Sequence, residues 1–222
     1  MAQKTVFLTG GARGLGAEIK SFLESAGYKI IAPSRQELDL TNPKGIQDYL
    51  VQNNPQADIL INNAGENIIS PLEDISLGHW QRTQDINLTA PFLLTQHFGE
   101  QMKTKKWGRI INISSIFSLI SKAQRAPYTA SKAALNGLTT TSAIELAPYG
   151  VLVNAIAPGF FKTELTSANN SPEQIKVLEQ NVPLGRLGEP IEIARLINFL
   201  ISEQNTYLTG QVLVIDGGYL SV

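Results

Sequence analysis

The sequence predicts an α/β protein, a doubly wound parallel sheet folded as a single domain. Short β-branched runs alternate with helical segments along the whole chain. Those runs are almost continuously apolar, as strands covered by helices on both faces must be. The length of 222 residues suits one α/β unit, and no internal repeat, low-complexity tract or linker divides it.

The elements follow in order. A strand-like run at Thr5–Thr9 ends in glycines and leads to a helical segment over Leu15–Ala26. Further strands are expected at Lys29–Ala32, Asp58–Asn62, Arg109–Ser114, Val151–Ile156 and Gln211–Ile215. Helices are expected at Pro43–Asn53, His79–Lys105, Tyr128–Ala147 and Glu189–Glu203. Two stretches are irregular. Pro33–Asn42 is too short for a crossover helix, so a strand there is at most a few residues around Leu38–Leu40. Gly159–Gly188 is far longer than a plain connection and reads as a lid or binding loop. Within it, Ile175, Leu178 and Val182 suit a short amphipathic helix.

Composition narrows the function. With 43% hydrophobic and 17% charged residues, the chain looks like an ordinary globular protein. Lys plus Arg number 18 against 19 Asp plus Glu, so no electrostatic case exists for nucleic acid or an anionic membrane. No apolar stretch approaches the roughly 20 residues of a membrane span. The absence of cysteine removes disulfides, thiolate nucleophiles and cysteine-held metals. His79 and His97 lack zinc-site spacing, and no metal is expected. The first strand begins too early for a targeting peptide, so the expected setting is cytoplasmic.

Two motifs carry chemistry. Thr9-Gly10-Gly11-Ala12-Arg13-Gly14-Leu15-Gly16 joins a strand to a helix, the context in which glycines let backbone approach a pyrophosphate. Tyr128 and Lys132, four apart, share one helix face. A phenol with a pKa of about 10 works near neutrality only after a shift of roughly 3 units, or about 4 kcal/mol. A cation about 4 Å away at an effective dielectric near 20 supplies roughly that much. A half-buried Tyr beside a snorkelling Lys is the plain alternative for the pair alone.

The glycine spacing resembles that of the short-chain dehydrogenase/reductase family. So do Asn62-Asn63-Ala64-Gly65, Asn87 in Asp85-Ile86-Asn87-Leu88, Ser114-Ser115, Tyr128-x-x-x-Lys132, Pro158-Gly159 with Thr163, and Leu208-Thr209-Gly210-Gln211 with Asp216-Gly217-Gly218. These span residues 5–218 in the family's order, and Val182–Pro190 is most similar to the 3-oxoacyl-[acyl-carrier-protein] reductase-like branch. The resemblance implies a Rossmann-like fold and a catalytic tetrad of Asn87, Ser115, Tyr128 and Lys132. In it Tyr128 exchanges the proton, Ser115 holds the substrate oxygen, Lys132 lowers the tyrosine pKa and grips the nicotinamide ribose, and Asn87 holds a water for proton resupply. Family spacing to Tyr128 selects Ser115 over Ser114.

The resemblance also implies cofactor contacts from Gly10, Arg13, Gly14, Leu15, Gly16, Ser34, Arg35, Asp39, Leu40, Asn63, Ala64, Gly65, Tyr128, Lys132, Pro158, Gly159 and Thr163. Arg13 and Arg35 stand where a cation accommodates a 2′-phosphate, which favours NADP(H). NAD(H) stays possible, with Glu37 as the acid if the short connection re-registers the loop. Substrate walls are expected from Glu66–Pro71, Ile116–Pro127 and Gly159–Gly188. Ser115, Phe117, Tyr128 and Phe160 are the substrate-binding candidates, with Ile68, Ile69, Ile116, Leu119, Phe161 and Leu165 adding apolar wall or lid packing. Lys122, Arg125 and the patch Lys103, Lys105 and Lys106 read as solvated helix ends, or as a surface for an acidic carrier or a phosphopantetheine.

The expected activity is NADPH-dependent reduction of a ketone to a secondary alcohol, on a small-molecule or acyl-thioester carbonyl. An alcohol or sugar dehydrogenase and a non-catalytic dinucleotide sensor are the rivals. A homotetramer or homodimer is implied, joined through the two long helices and the last strand. Phe92, Leu93, Leu94, Leu135 and Leu138 exceed what one buried face needs.

Overall fold

Six parallel strands form the centre of the computed structural model, which describes residues 3–168 and 170–222 apart from the side chains of Leu165 and Ala168. The strands are β1 (Thr5–Leu8), β2 (Lys29–Ile31), β3 (Ile59–Asn62), β4 (Gly108–Ile113), β5 (Val151–Pro158) and β6 (Val212–Ile215), in the order β2-β1-β3-β4-β5-β6. The chain steps outward from β1 to β2, then returns to the other side of β1. That reversal lies between β1 and β3, where parallel sheets of this kind leave a crevice at their C-terminal edges.

The two faces are covered by different helices. Phe7, Leu60, Ile110 and Val153 point to one core with α2 (Pro43–Asn53), α4 (Ala90–Lys105) and α5 (Ala126–Leu146). Val6, Leu8, Ile59, Ile61, Ile111 and Ile156 point to the other, with α1 (Gly14–Ser25) and α8 (Pro190–Ile201). Alternate residues of one strand thus serve opposite cores, which is why the strands read as unbroken apolar runs. Helix starts are set locally. Asn42 Oδ1 accepts from Gly45 N at 3.0 Å with Pro43 at the first position of α2, and Ser171 and Gln174 form a capping box at α7 (Pro172–Asn181).

Three expectations change. Among the described residues Leu38–Leu40 pairs with no strand, so β2 is the sheet edge. Leu38 instead drops into the core at 5% exposure, with Leu40 packed against the same cluster. The expected helix His79–Lys105 is divided into α3 (Leu77–Gln84), a π-helical turn Asp85–Thr89, and α4. Pro91 lacks the N–H that would bond Asn87 C=O, and Ala90 N reaches back to Asp85 O, widening the turn. Gly159–Gly188 holds α6 (Glu164–Ala168) as well as α7. In α7, Ile175 and Leu178 are only half-buried, whereas Val182 beyond its end is buried. Among the described residues, no helix is long and apolar enough to cross a membrane.

Leu38 closes the sheet edge and anchors the turn that precedes it, so Leu38→Ala is expected to cost about 2–4 kcal/mol by chemical denaturation. A loss below about 1 kcal/mol would show that the edge does not depend on this side chain.

Candidate active site

A cleft of about 660 Å³ runs along the C-terminal edges of the strands, from Ser34 and Arg35 past the glycine turn to Ser115, Tyr128 and Lys132. Its floor is a backbone crossing. Gly10 and Gly14 take φ of +69° and +52°, conformations that side-chain-bearing residues avoid. A Cβ on Gly16 would stand 2.0 Å from Gly10 O and 2.5 Å from Asn63 Nδ2. The loop after β3 is stitched to this turn. Asn63 Nδ2 donates to Thr9 O and Gly10 O at 3.0 and 3.2 Å, while Asn63 N and Ala64 N both donate to Thr9 Oγ1 at 3.0 Å.

This cradle fits a dinucleotide. Among the described residues no side chain caps α1, so its first N–H groups stay open for an anion, and nothing lies within 4 Å of a Cβ built on Gly14. Arg13 and Arg35 are exposed on the wall, and no carboxylate pairs with either among the described residues. Glu37 is committed elsewhere. Its carboxylate accepts from Ser34 N at 2.8 Å, a bond that lowers its pKa, and it is not part of the cleft wall. Asp39 and Leu40 line the wall, with Asp39 Oδ1 accepting from Thr41 N and Oγ1 at 3.0 and 2.9 Å. Leu15, Gly65, Pro158, Gly159 and Thr163 complete it.

At the other end, β4 and α5 bring the titratable groups together. Ser115 is 6% exposed, its Oγ accepting from Phe117 N at 3.1 Å and facing the Tyr128 hydroxyl. Ser114 Oγ instead donates to Asn136 Oδ1 at 2.7 Å, which binds it to α5. Lys132 is 3% exposed, and its Nζ donates to Ile113 O at 2.7 Å, 5.8 Å from the Tyr128 ring centre. Burial lowers the lysine pKa to about 8. Burial also raises Tyr128, and the opposing pull comes from the Ser115 hydroxyl and the Arg125 charge. The sequence reading assigned that pull to Lys132. In the structure its ammonium donates to a strand carbonyl instead and stands 5.8 Å from the ring centre, and burial has the larger effect on the phenol.

Asn87 is fully buried in the π-helical turn. Its Oδ1 accepts from Glu66 N at 2.9 Å, and its Nδ2 donates to Glu66 O at 2.9 Å and Ser131 Oγ at 3.0 Å. Both amide hydrogens are therefore spent on positioning the loop after Gly65 and the start of α5. A Cβ on Gly65 would meet Lys132 Nζ at 3.4 Å and Asn87 Oδ1 at 3.5 Å, so the two side chains face the same point.

The expected apolar wall divides. Ile116, Phe117 and Phe161 are buried, Ile69 and Leu119 are exposed, Ile68 and Phe160 are intermediate, and the Leu165 side chain lies outside the described residues. Phe117 meets Tyr128 edge-on at 6.4 Å and Phe160 at 6.3 Å, and Phe160 meets Tyr219 at 5.1 Å. Tyr219 is an unforeseen neighbour, since only tertiary contact connects it to this site. The Glu66–Arg82 ion pair at 2.8 Å on the cleft wall was also missed, although Glu66 directly follows the Asn63-Ala64-Gly65 motif.

Comparison with known proteins gives a consistent setting. Residues 5–220 match the family model described as enoyl-(acyl carrier protein) reductase. The chain is 35% identical to a 3-oxoacyl-[acyl-carrier-protein] reductase of Aquifex aeolicus, over 97% of this chain and 96% of that one. A 4-hydroxyisoleucine dehydrogenase complexed with NADH superposes with a TM-score of 0.92 at 31% identity, covering 99% and 100% of the two chains. A gluconate 5-dehydrogenase from Burkholderia cenocepacia, in complex with NADP and tartrate, gives 0.91 at 29% identity, covering 100% and 97%.

The Lys132 ammonium makes a pH prediction. From about pH 8 to 10.5 the unfolded lysine keeps a proton that the folded one has lost, so folding stability rises with pH. Denaturation of the protein without cofactor should show wild type gaining on Lys132→Met across that window, by on the order of 3 kcal/mol at most. A flat difference would mean the ammonium is solvated.

Proposed function

The chain belongs to the short-chain dehydrogenase/reductase family of NAD(P)-dependent oxidoreductases acting on CH–OH groups, and from that premise we propose that it reduces a ketone to a secondary alcohol with NADPH, on a 3-oxoacyl thioester or similar carbonyl. One observation carries this reading. The Tyr128 hydroxyl, Ser115 Oγ and the Lys132 ammonium converge at the end of β4, on the same cleft as the glycine turn.

A bound nicotinamide cofactor would supply the hydride for the carbonyl carbon. Gly10, Gly14, Leu15 and Gly16 would hold its pyrophosphate through the open N-terminus of α1. Lys132 would hold its nicotinamide ribose. Ser115 Oγ–H donates to the carbonyl oxygen and keeps it at Tyr128. Tyr128 would give its proton to that oxygen as hydride addition gives it alkoxide character, yielding the alcohol and leaving a phenolate. The Lys132 ammonium, 5.8 Å from the Tyr128 ring centre, would be the cation nearest that phenolate. Proton resupply would run through a water held beside Asn87 and Lys132, whose side chains face the same point.

The preference for NADPH draws on Arg13 and Arg35, both open on the cleft wall, and on Glu37, which is occupied by Ser34 N–H. The relatives act on thioesters and on hydroxy acids alike, so dehydrogenation of an alcohol or sugar acid is the second reading, favoured by the likeness to the gluconate enzyme. A cytoplasmic homotetramer belongs to the same proposal. Leu93, Leu94 and Leu135 are buried within one chain, but Phe92 at 46% and Ile144 at 71% remain exposed on α4 and α5.

Tyr128→Phe is expected to bind NADPH with unchanged affinity while reduction of an acetoacetyl thioester falls at least a hundredfold. Unaltered biological activity in that variant would favour a dinucleotide sensor. Arg35→Ala should weaken NADPH at least tenfold, about 1.4 kcal/mol, and NADH less than threefold, by fluorescence titration. Equal losses for both would place the 2′-phosphate elsewhere.

A further inference from the structure

We propose that Arg125 anchors a free carboxylate on the substrate, so that the compound reduced is an oxo acid, and in the reverse direction a hydroxy acid. This rests on the ketone-reductase reading and puts a free oxo acid, among the similar carbonyls, in place of the thioester. Arg125 immediately precedes α5, three residues before Tyr128. Its guanidinium lies 5.2 Å over the Phe117 ring, the same ring that meets Tyr128 edge-on at 6.4 Å. Arginine and phenol therefore flank one aromatic surface.

Arg125 is half-buried, yet among the described residues no carboxylate pairs with it and its guanidinium makes no hydrogen bond to protein. Two other covered arginines differ, Arg109 being buried. Arg82 is held by Glu66 at 2.8 Å, and Arg109 by the carbonyls of Gly108 and Asn205 at 2.8 and 3.0 Å. Beyond the Phe117 ring the Arg125 guanidinium has no protein acceptor among the described residues, and its five N–H donors form a fork shaped for a carboxylate. Burial lowers its pKa while the Tyr128 oxygen pulls it back up, so the two groups sense each other electrostatically.

The surrounding backbone adds to this. Among the described residues no side chain caps the 21-residue helix α5, so its N-terminal dipole also favours an anion here. Gln124 takes φ of +68°, which costs a side-chain-bearing residue on the order of 1 kcal/mol, and its carbonyl accepts from Ser70 N at 3.2 Å. The Arg125 backbone is thus fixed against the loop after β3 rather than left to solvent. A ketone held by Ser115 and Tyr128 would present a carboxylate a few bonds away to this fork.

The test compares 3-, 4- and 5-oxo acids with their methyl esters, using NADPH and following absorbance. Wild type should prefer one acid over its ester at least tenfold in kcat/KM. In Arg125→Ala that acid should lose at least tenfold more than the ester, mainly in KM, with Arg125→Lys recovering part of the difference. Calorimetry of the enzyme–NADP+ complex with the same acids reads binding without turnover, and NADP+ affinity checks that each variant is folded. Equal losses for acid and ester, or no acid bound by wild type, would overturn the anchor. Acids bound through Arg125 while neither ketone nor acetoacetyl thioester is reduced would support the anchor and sink the reductase reading alone. A thioester reduced in preference to every acid, with Arg125→Ala unchanged, would overturn the anchor and leave the reductase reading in place.

Discussion

Lys132 Nζ is an ammonium 3% exposed that donates to the Ile113 carbonyl at 2.7 Å, and among the described residues no carboxylate stands beside it. Removing such a charge from water is expensive, and one carbonyl compensates it only in part. The arrangement therefore requires α5 to be held firmly against the end of β4. A column of buried amides and hydroxyls does this: Asn62 Nδ2 donates to Asn112 Oδ1, Asn112 Nδ2 to Thr139 Oγ1, and Thr139 Oγ1 to Leu135 O, each at 2.8 Å. Ser114 to Asn136 adds a further tie at 2.7 Å. These bonds bind β3, β4 and α5 into one body, and Tyr128 is positioned by that body.

The other half of the cleft depends on close backbone approach. Gly16 packs against Gly10 O and Asn63 at distances that exclude a side chain, so the glycine turn and the loop after β3 occupy one another's space. The sheet ends at β2 because the chain goes straight from that strand through a short turn into α2. Ser34 and Glu37 close the turn by reciprocal hydrogen bonds, Ser34 N to the carboxylate and Glu37 N to Oγ at 2.8 and 3.4 Å. Leu38 roots it in the core. A single buried leucine and one capping pair do here what a paired strand would otherwise do.

The C-terminal turn is drawn into the site by a third constraint. Gly159 approaches Asp216 so closely that a Cβ would stand 2.7 Å from the aspartate Cβ. Asp216 accepts from Gly218 N and Leu220 N at 2.9 and 2.8 Å, fixing the turn that carries Tyr219. Tyr219, Phe160, Phe117 and Tyr128 then form a continuous series of edge-on rings. The chain end is thereby coupled mechanically to the wall beside the phenol.

Much of this was legible from residues alone, for reasons that lie in local physics. Apolar runs such as Ile59–Ile61 can be satisfied only between two layers of helices, and the glycines of Thr9–Gly16 suit only a tight turn against a helix N-terminus. Tyr128 and Lys132 share a face because a helix places i and i+4 together. Other features depended on contacts that no spacing encodes. The sequence reads as one unbroken helix over His79–Lys105, and the wide π turn around Asn87 became visible only with Ala90 N bonded to Asp85 O. The Lys132 ammonium reaches Ile113 rather than the phenol because β4 passes beside it, and Tyr219 meets Phe160 because Gly159 and Asp216 touch. The sequence by itself determined the layers, the cleft and the candidate groups along it, since periodicity and turn chemistry act over a few residues. Which partner each of those groups has was decided only by the tertiary structure, because a buried hydrogen bond or charge answers to whatever the fold brings within about 3 Å of it.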